Sequence, residues 1–148
     1  CNVLSPAALD AVLAEVDRVA GPGSHLVVDD YAPLPDGAAV SDLFAVENAA
    51  AHLATGEAAL TFYPPELLRQ LLTGTGWTVE RERTLLDPVP WTETHLSAHA
   101  DVVERHVEAV PDPLGAALLA RANDLVERIG SESAGRMYSL AARRPERG

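Results

Sequence analysis

The stretch LDAVLAEVDRVAGPGSHLVVDDY, residues 9–31, places a helix period, a turn and an apolar strand in direct succession. Apolar side chains at Leu9, Val12, Leu13, Val16 and Val19 recur at the three- and four-residue spacing that lines one side of a helix. Gly21 follows where a helix C-cap favours positive φ, and Pro22 forbids continuation. The run Leu26-Val27-Val28 has no polar alternation, which predicts a strand covered on both faces in a parallel sheet. Asp29-Asp30-Tyr31 mark its carboxyl end. Upstream, Ser5 and Pro6 supply an N-cap and a first helical residue.

The rest of the chain continues this alternation. Ala32 to Ala39, with Pro33, Pro35 and Gly37, reads as a loop, and Ser41 is the expected N-cap of a helix reaching about Thr55 and ended by Gly56. Phe62-Tyr63-Pro64-Pro65 leads into a helix over Pro65–Thr73. Gly74-Thr75-Gly76 then precedes a strand over Trp77–Leu86, where Trp77 and Val79 give way to Arg81 and Arg83, so that one face turns polar. Asp87-Pro88-Val89-Pro90 breaks that strand. Thr92 caps a helix predicted over Thr94–Val110, a second helix is predicted over Leu114–Ile129, and Arg136–Ala142 reads as a last strand.

At 148 residues and 47% apolar content, the chain can bury one core without a second domain. A net charge of -11 argues against nucleic acid as a partner, because phosphate binding depends on clustered cations. All eleven basic residues are Arg. Lysine Schiff-base chemistry and the P-loop lysine are thereby excluded. The single Cys1 can form no internal disulfide, and no signal-like or membrane-spanning run occurs, so no membrane partner and a cytoplasmic location are expected. Met137 is the sole methionine and the chain opens on Cys1-Asn2-Val3-Leu4 without a turn signal, as expected of a sequence that begins within a domain.

The order of helix, Gly-Pro-Gly turn, strand and acid resembles the segment joining the fourth and fifth strands of class I S-adenosylmethionine-dependent methyltransferases. Arg18-Val19-Ala20-Gly21-Pro22-Gly23 stands where that family commonly reads "RVLKPGG". Leu71-Leu72-Thr73-Gly74-Thr75-Gly76-Trp77 resembles the family's "LLxxAGF" passage into the sixth strand. The ending Arg136–Ala142 with Arg143-Arg144-Pro145 resembles its antiparallel seventh strand. The resemblance implies an α/β fold, a partial Rossmann-like sheet forming the C-terminal half of a methyltransferase domain over residues 1–148, with a helical insertion at about 92–129 before the last strand. It further implies S-adenosylmethionine as cofactor of the intact parent, a small-molecule acceptor, and a missing N-terminal half or partner chain. The chain alone is expected to be inactive.

Both glycine-rich turns follow helices and precede strands, whereas a cofactor loop follows a strand and opens a helix, so both are expected to be structural. Ligands of open α/β sheets bind beyond the strand carboxyl ends, which directs attention to Asp29, Asp30 and Tyr31. By the resemblance, Asn2 lies at the end of the preceding strand and near the cofactor. Tyr63 is a candidate pocket residue beside Pro64 and Pro65, although packing is the favoured account of this stretch. His95 and His99 have the i, i+4 spacing that can share a metal, but the adjacent Glu of a zinc-protease motif and a third ligand are missing, so they are expected to edge the acceptor pocket and hold no metal. Two further readings stay open. One is a noncatalytic α/β interaction module lacking the cofactor half; the other is a metal-dependent hydrolase using Asp29, Asp30 and the histidines.

Overall fold

The structure, a computed structural model, describes residues 4–146. The chain divides into two compact units. Unit 1 comprises residues 1–33, 61–88 and 135–148, and unit 2 comprises 34–60 and 89–134.

Unit 1 contains α1 (Pro6–Val19), β1 (His25–Tyr31), α3 (Pro65–Gly74), β2 (Thr78–Leu86) and β5 (Met137–Arg143). The Ser5 hydroxyl accepts a hydrogen bond from the Ala8 amide and Pro6 opens α1, as their residue types dictate. The turn out of α1 differs from expectation. The C-cap is Ala20 in an extended conformation, and the positive φ belongs to Gly23, at 78°, rather than to Gly21. Gly23 then donates to the Arg144 carbonyl while the Arg144 amide donates to Ser24, which ties the turn to the end of β5.

The three strands form one sheet in the order β1-β5-β2. β5 runs antiparallel to both neighbours, so β1 and β2 point the same way with the last strand reversed between them. Among the described residues β1 pairs with β5 alone, and antiparallel to it. Leu26 and Val28 turn toward the core, while Val27 is 63% exposed. One sheet face, with Tyr138, Leu140 and Ala142, packs under Leu9 of α1 and Leu68 and Leu72 of α3, with Trp77 closing the cluster. Trp77 Nε1 donates to Asp17, which also receives Arg144 at 2.6 Å.

β2 carries two irregularities in its pairing with β5. Val79 pairs with Ala142 and Arg81 with Ala141, leaving Glu80 as the extra residue of a bulge. A bulge reverses the alternation beyond it. Val79 consequently faces the core, whereas Arg81 and Arg83 face outward, and the single run of Trp77, Val79, Arg81 and Arg83 on one face does not form.

Unit 2 contains α2 (Ala39–Thr55), β3 (Pro90–Trp91), α4 (Glu93–Val107), α5 (Leu114–Ile129) and β4 (Glu132–Ser133). The helices bury Val40, Leu43, Phe44, Leu96, Val103 and Leu125 against one another. Ser41 does not cap α2. It lies within the first turn and donates to the Ala38 carbonyl, while the first free amides of the helix, Ala39 and Val40, donate to the two oxygens of Glu132 at 2.9 and 3.0 Å. A carboxylate at a helix N-terminus satisfies orphan donors and opposes the positive end of the dipole. The pairing of β3 with β4 brings Glu132 to this position. Thr92 caps α4 by accepting from the His95 amide, and Gly56 ends α2 with φ 84°. At Gly115 a Cβ would stand 2.7 Å from the Val110 carbonyl oxygen, so the approach of α5 to the preceding turn requires glycine. Among the described residues no helix is long and apolar enough to cross a membrane.

Candidate functional site

Side chains alternate along β1, so Asp29 and Tyr31 leave one face of the sheet and Asp30 the other. Asp30 is 2% exposed, and its Oδ1 accepts from the Tyr31 amide at 2.8 Å. Two phenols lie close enough to feel its charge. Tyr138, the register partner of Asp30, donates from its hydroxyl to the Tyr63 carbonyl at 2.6 Å, and the Tyr63 hydroxyl donates to the Leu4 carbonyl at 2.6 Å. Burial pushes the pKa of Tyr138 far up, and the neighbouring Asp30 carboxylate adds to this, with Arg136 opposing. Burial likewise raises Tyr63, offset by a hydrogen bond to Thr61 and reinforced by Asp30. Both phenols are held neutral, as donors that tie chain segments together. An apolar cleft of about 300 Å³ adjoins Tyr63 and is bounded by Pro6, Leu9, Leu13, Leu67 and Leu71.

A second polar arrangement lies in unit 2. Glu47, on α2, is 3% exposed, and its Oε2 meets His99 Nδ1, on α4, at 2.5 Å. The imidazole packs against Phe44 with ring centres 4.6 Å apart, and Phe44 meets Trp91 edge-on at 5.1 Å. Trp91 Nε1 donates to the Ala134 carbonyl at 2.9 Å, fixing that ring. A carboxylate on Nδ1 selects the tautomer that leaves Nε2 with its lone pair, the form able to accept a proton. Glu47 was not singled out from the sequence. It falls within the apolar period Leu43, Glu47, Ala50 of α2, and an acid inside such a period is the local signal that it needs a buried partner.

His95 sits on the exposed first turn of α4. His99 therefore takes a glutamate from another helix as its partner and not His95, and among the described residues no group of three His, Cys, Asp or Glu side chains is arranged to hold a metal. A cleft of about 450 Å³ in the same unit is lined by Trp91, Thr92, Glu93 and the β4 residues Glu132 and Ser133. Of the residues singled out from sequence, Asp29, Asp30, Tyr31 and Tyr63 belong to unit 1, His95 and His99 to unit 2, and Asn2 lies outside the described residues.

No protein-family model matches the chain. No curated protein matches it either. Among solved structures, the [4+2]-cyclase SpnF is similar over 93% of this chain and 44% of its own, at 20% identity and a TM-score of 0.48. The phosphoethanolamine N-methyltransferase 2 of Haemonchus contortus, solved with phosphomonomethylethanolamine and S-adenosylhomocysteine, is similar over 93% of this chain and 30% of its own, at 12% identity and a TM-score of 0.44. The mycolic acid cyclopropane synthase CmaA1, solved with SAH and CTAB, is similar over 97% of this chain and 52% of its own, at 14% identity and a TM-score of 0.48. The similar structures thus include methyltransferases. The chain spans between 30% and 52% of the length of these three proteins.

Proposed function

We propose that this chain is the C-terminal part of a Rossmann-like S-adenosylmethionine-dependent methyltransferase domain whose acceptor is a small molecule. The observation that carries the reading is the sheet order. Two strands, each entered from a helix through a glycine-containing turn, run the same way, and the last strand of the chain lies antiparallel between them. That is the closing strand implied by the residues from Arg136 to Pro145.

In this proposal the described residues do not by themselves seat S-adenosylmethionine. Anionic and nucleotide groups bind where a strand delivers the free amides of a helix start. Here the first amides of α2 are taken by Glu132, and the Thr92 side chain caps α4. The turns Gly21-Pro22-Gly23 and Gly74-Thr75-Gly76 lead from helices into strands. In this proposal the cofactor is held by a preceding segment or a partner chain, and the present residues serve the acceptor. No step of methyl transfer is assigned to a side chain in this chain that would hold the cofactor. The helices from Thr92 to Ile129 are the proposed insertion.

S-adenosylmethionine, when bound, would supply the methyl group, its sulfonium–carbon bond breaking as a bond forms to an O, N or C of the acceptor, which gives up a proton; such a transfer depends largely on positioning. Glu47 and His99 are suited to receive that proton, because the carboxylate on Nδ1 orients the ring and leaves Nε2 as the acceptor. The test uses the chain extended by its upstream coding segment. That protein is expected to bind S-adenosylmethionine and methylate a small acceptor, with His99→Gln slowing turnover on the order of 10²-fold. An extended protein that fails to bind S-adenosylmethionine would remove the methyltransferase reading and favour the noncatalytic interaction module.

A further inference from the structure

Glu132 stands between the two helices that supply the Glu47–His99 pair. Its backbone pairs with Trp91 in the ribbon of β3 and β4, and Thr92 and Glu93 follow Trp91 directly as the cap and first residue of α4. Its side chain reaches the other way, accepting from the Ala39 and Val40 amides at 2.9 and 3.0 Å at the start of α2. All of these residues belong to unit 2. One residue thus joins the origin of α4 to the origin of α2.

The ribbon cannot set that joint by its own backbone. Pro90 pairs with Ser133 and Trp91 with Glu132, and Pro90 has no amide to donate. So short a pairing is marginal in water, and side chains fix where the ribbon lies. Trp91 is 6% exposed, with its Nε1 on the Ala134 carbonyl and its ring against Phe44 and, at 6.5 Å between centres, His99. Glu132 supplies the second anchor. The N-cap residue of α2 is Ala38, whose side chain has no acceptor, so the first turn is held from β4 instead. Along α2, Val40, Phe44 and Glu47 fall at i, i+4 and i+7 on one side of the helix, with Glu47 about 10 Å beyond the capped amide. A shift of α2 by about 1 Å against α4 would stretch the 2.5 Å contact between Glu47 and His99 past hydrogen-bond range.

We propose that Glu132 is a positioning residue: its carboxylate fixes α2 against the β3–β4 ribbon, and so holds Glu47 on His99 Nδ1 and leaves the lone pair on Nε2. What the pair is used for rests on the proposed function. That Glu132 holds the pair does not.

Imidazole nitrogen shifts of the whole isotope-labelled chain read the tautomer of His99 directly. The parent sequence is expected to carry the proton on Nδ1. Glu132→Gln, which turns an N–H toward the helix amides, is expected to give a mixture with the Nε2–H form. Loss of a helix cap could loosen the pair without any role for the ribbon, so a second variant separates the two. Ala38→Asp gives α2 a local N-cap. Added to Glu132→Gln, it is expected to raise the thermal midpoint while the tautomer mixture persists well below that midpoint. In the chain extended by its upstream coding segment, Glu132→Gln is expected to slow turnover about tenfold or more. It should slow turnover little further when His99→Gln is already present, because both act through one ring. A parent-like tautomer in Glu132→Gln, its full return on adding Ala38→Asp, or equal slowing with and without His99 would overturn the proposal. An extended protein that transfers no methyl group would remove the methyltransferase reading, and the tautomer would still decide the role of Glu132.

Discussion

On one face of the three-stranded sheet, Tyr138, Leu140 and Ala142 are at most 2% exposed beneath Leu9, Leu68 and Leu72; on the other, Val27 is 63% exposed beside Arg81 and Arg83. Both faces are drawn from the same three strands, and successive residues of β5 alternate between them. The difference shows that the apolar run Leu26-Val27-Val28 identifies a strand but does not say how many of its faces are covered. β-branched residues favour extended backbone whether or not a second layer packs on them. Among the described residues the closed face carries the packing, and the other face has no layer upon it.

The contrast breaks first on truncation. Leu140→Ala on the closed face is expected to cost about 2–5 kcal/mol, because the removed side chain leaves a cavity among packed neighbours. Urea denaturation of the whole chain measures it, and a loss below 1 kcal/mol would mean that the helices do not seal this face.

Tyr138→Phe sharpens the same contrast chemically. It keeps the ring but strands the Tyr63 carbonyl, an expected cost of about 1–3 kcal/mol. The raised pKa of Tyr138 adds a pH signature. Above about pH 10 the unfolded phenol releases its proton while the folded one retains it, so the unfolded state binds fewer protons and stability falls as pH rises. Below that value the contribution is intact. Thermal midpoints measured from neutral pH to above pH 10 should fall less steeply in Tyr138→Phe than in the parent sequence, and parallel profiles would contradict the burial of this phenol.

The smallest effect belongs to the open face. Val27→Ala should change stability by about 0.5 kcal/mol or less, since the side chain already meets water. A loss comparable to that of Leu140→Ala would show that something covers Val27 in solution.

Local chemistry made much of this fold legible. The helix over Leu114–Ile129 has the expected bounds, and Ser5, Pro6, Thr92 and Gly56 punctuate the chain as their residue types require. What was not legible rests on pairs distant in sequence. Glu132 caps α2 from 92 and 93 residues away, and Glu47 meets His99 across 52. No period within a helix or strand encodes such partners. The two-residue strands β3 and β4 are too short to show alternation. The bulge at Glu80 inserts a residue without any glycine or proline to announce it, which is why the outward placement of Arg81 and Arg83 was missed. At the candidate site, residue types pointed to Asp30, Tyr63 and His99, while their partners Tyr138 and Glu47 emerged only from the fold.

The most direct measurement is a calorimetric titration of S-adenosylmethionine into the chain of residues 1–148 and, in parallel, into the same chain carrying its upstream coding segment. The account predicts no saturable binding to the first and saturable binding to the second, because the amides opening α2 are already occupied by Glu132 and a side chain of this chain caps α4. Micromolar or tighter binding to the chain alone would contradict it.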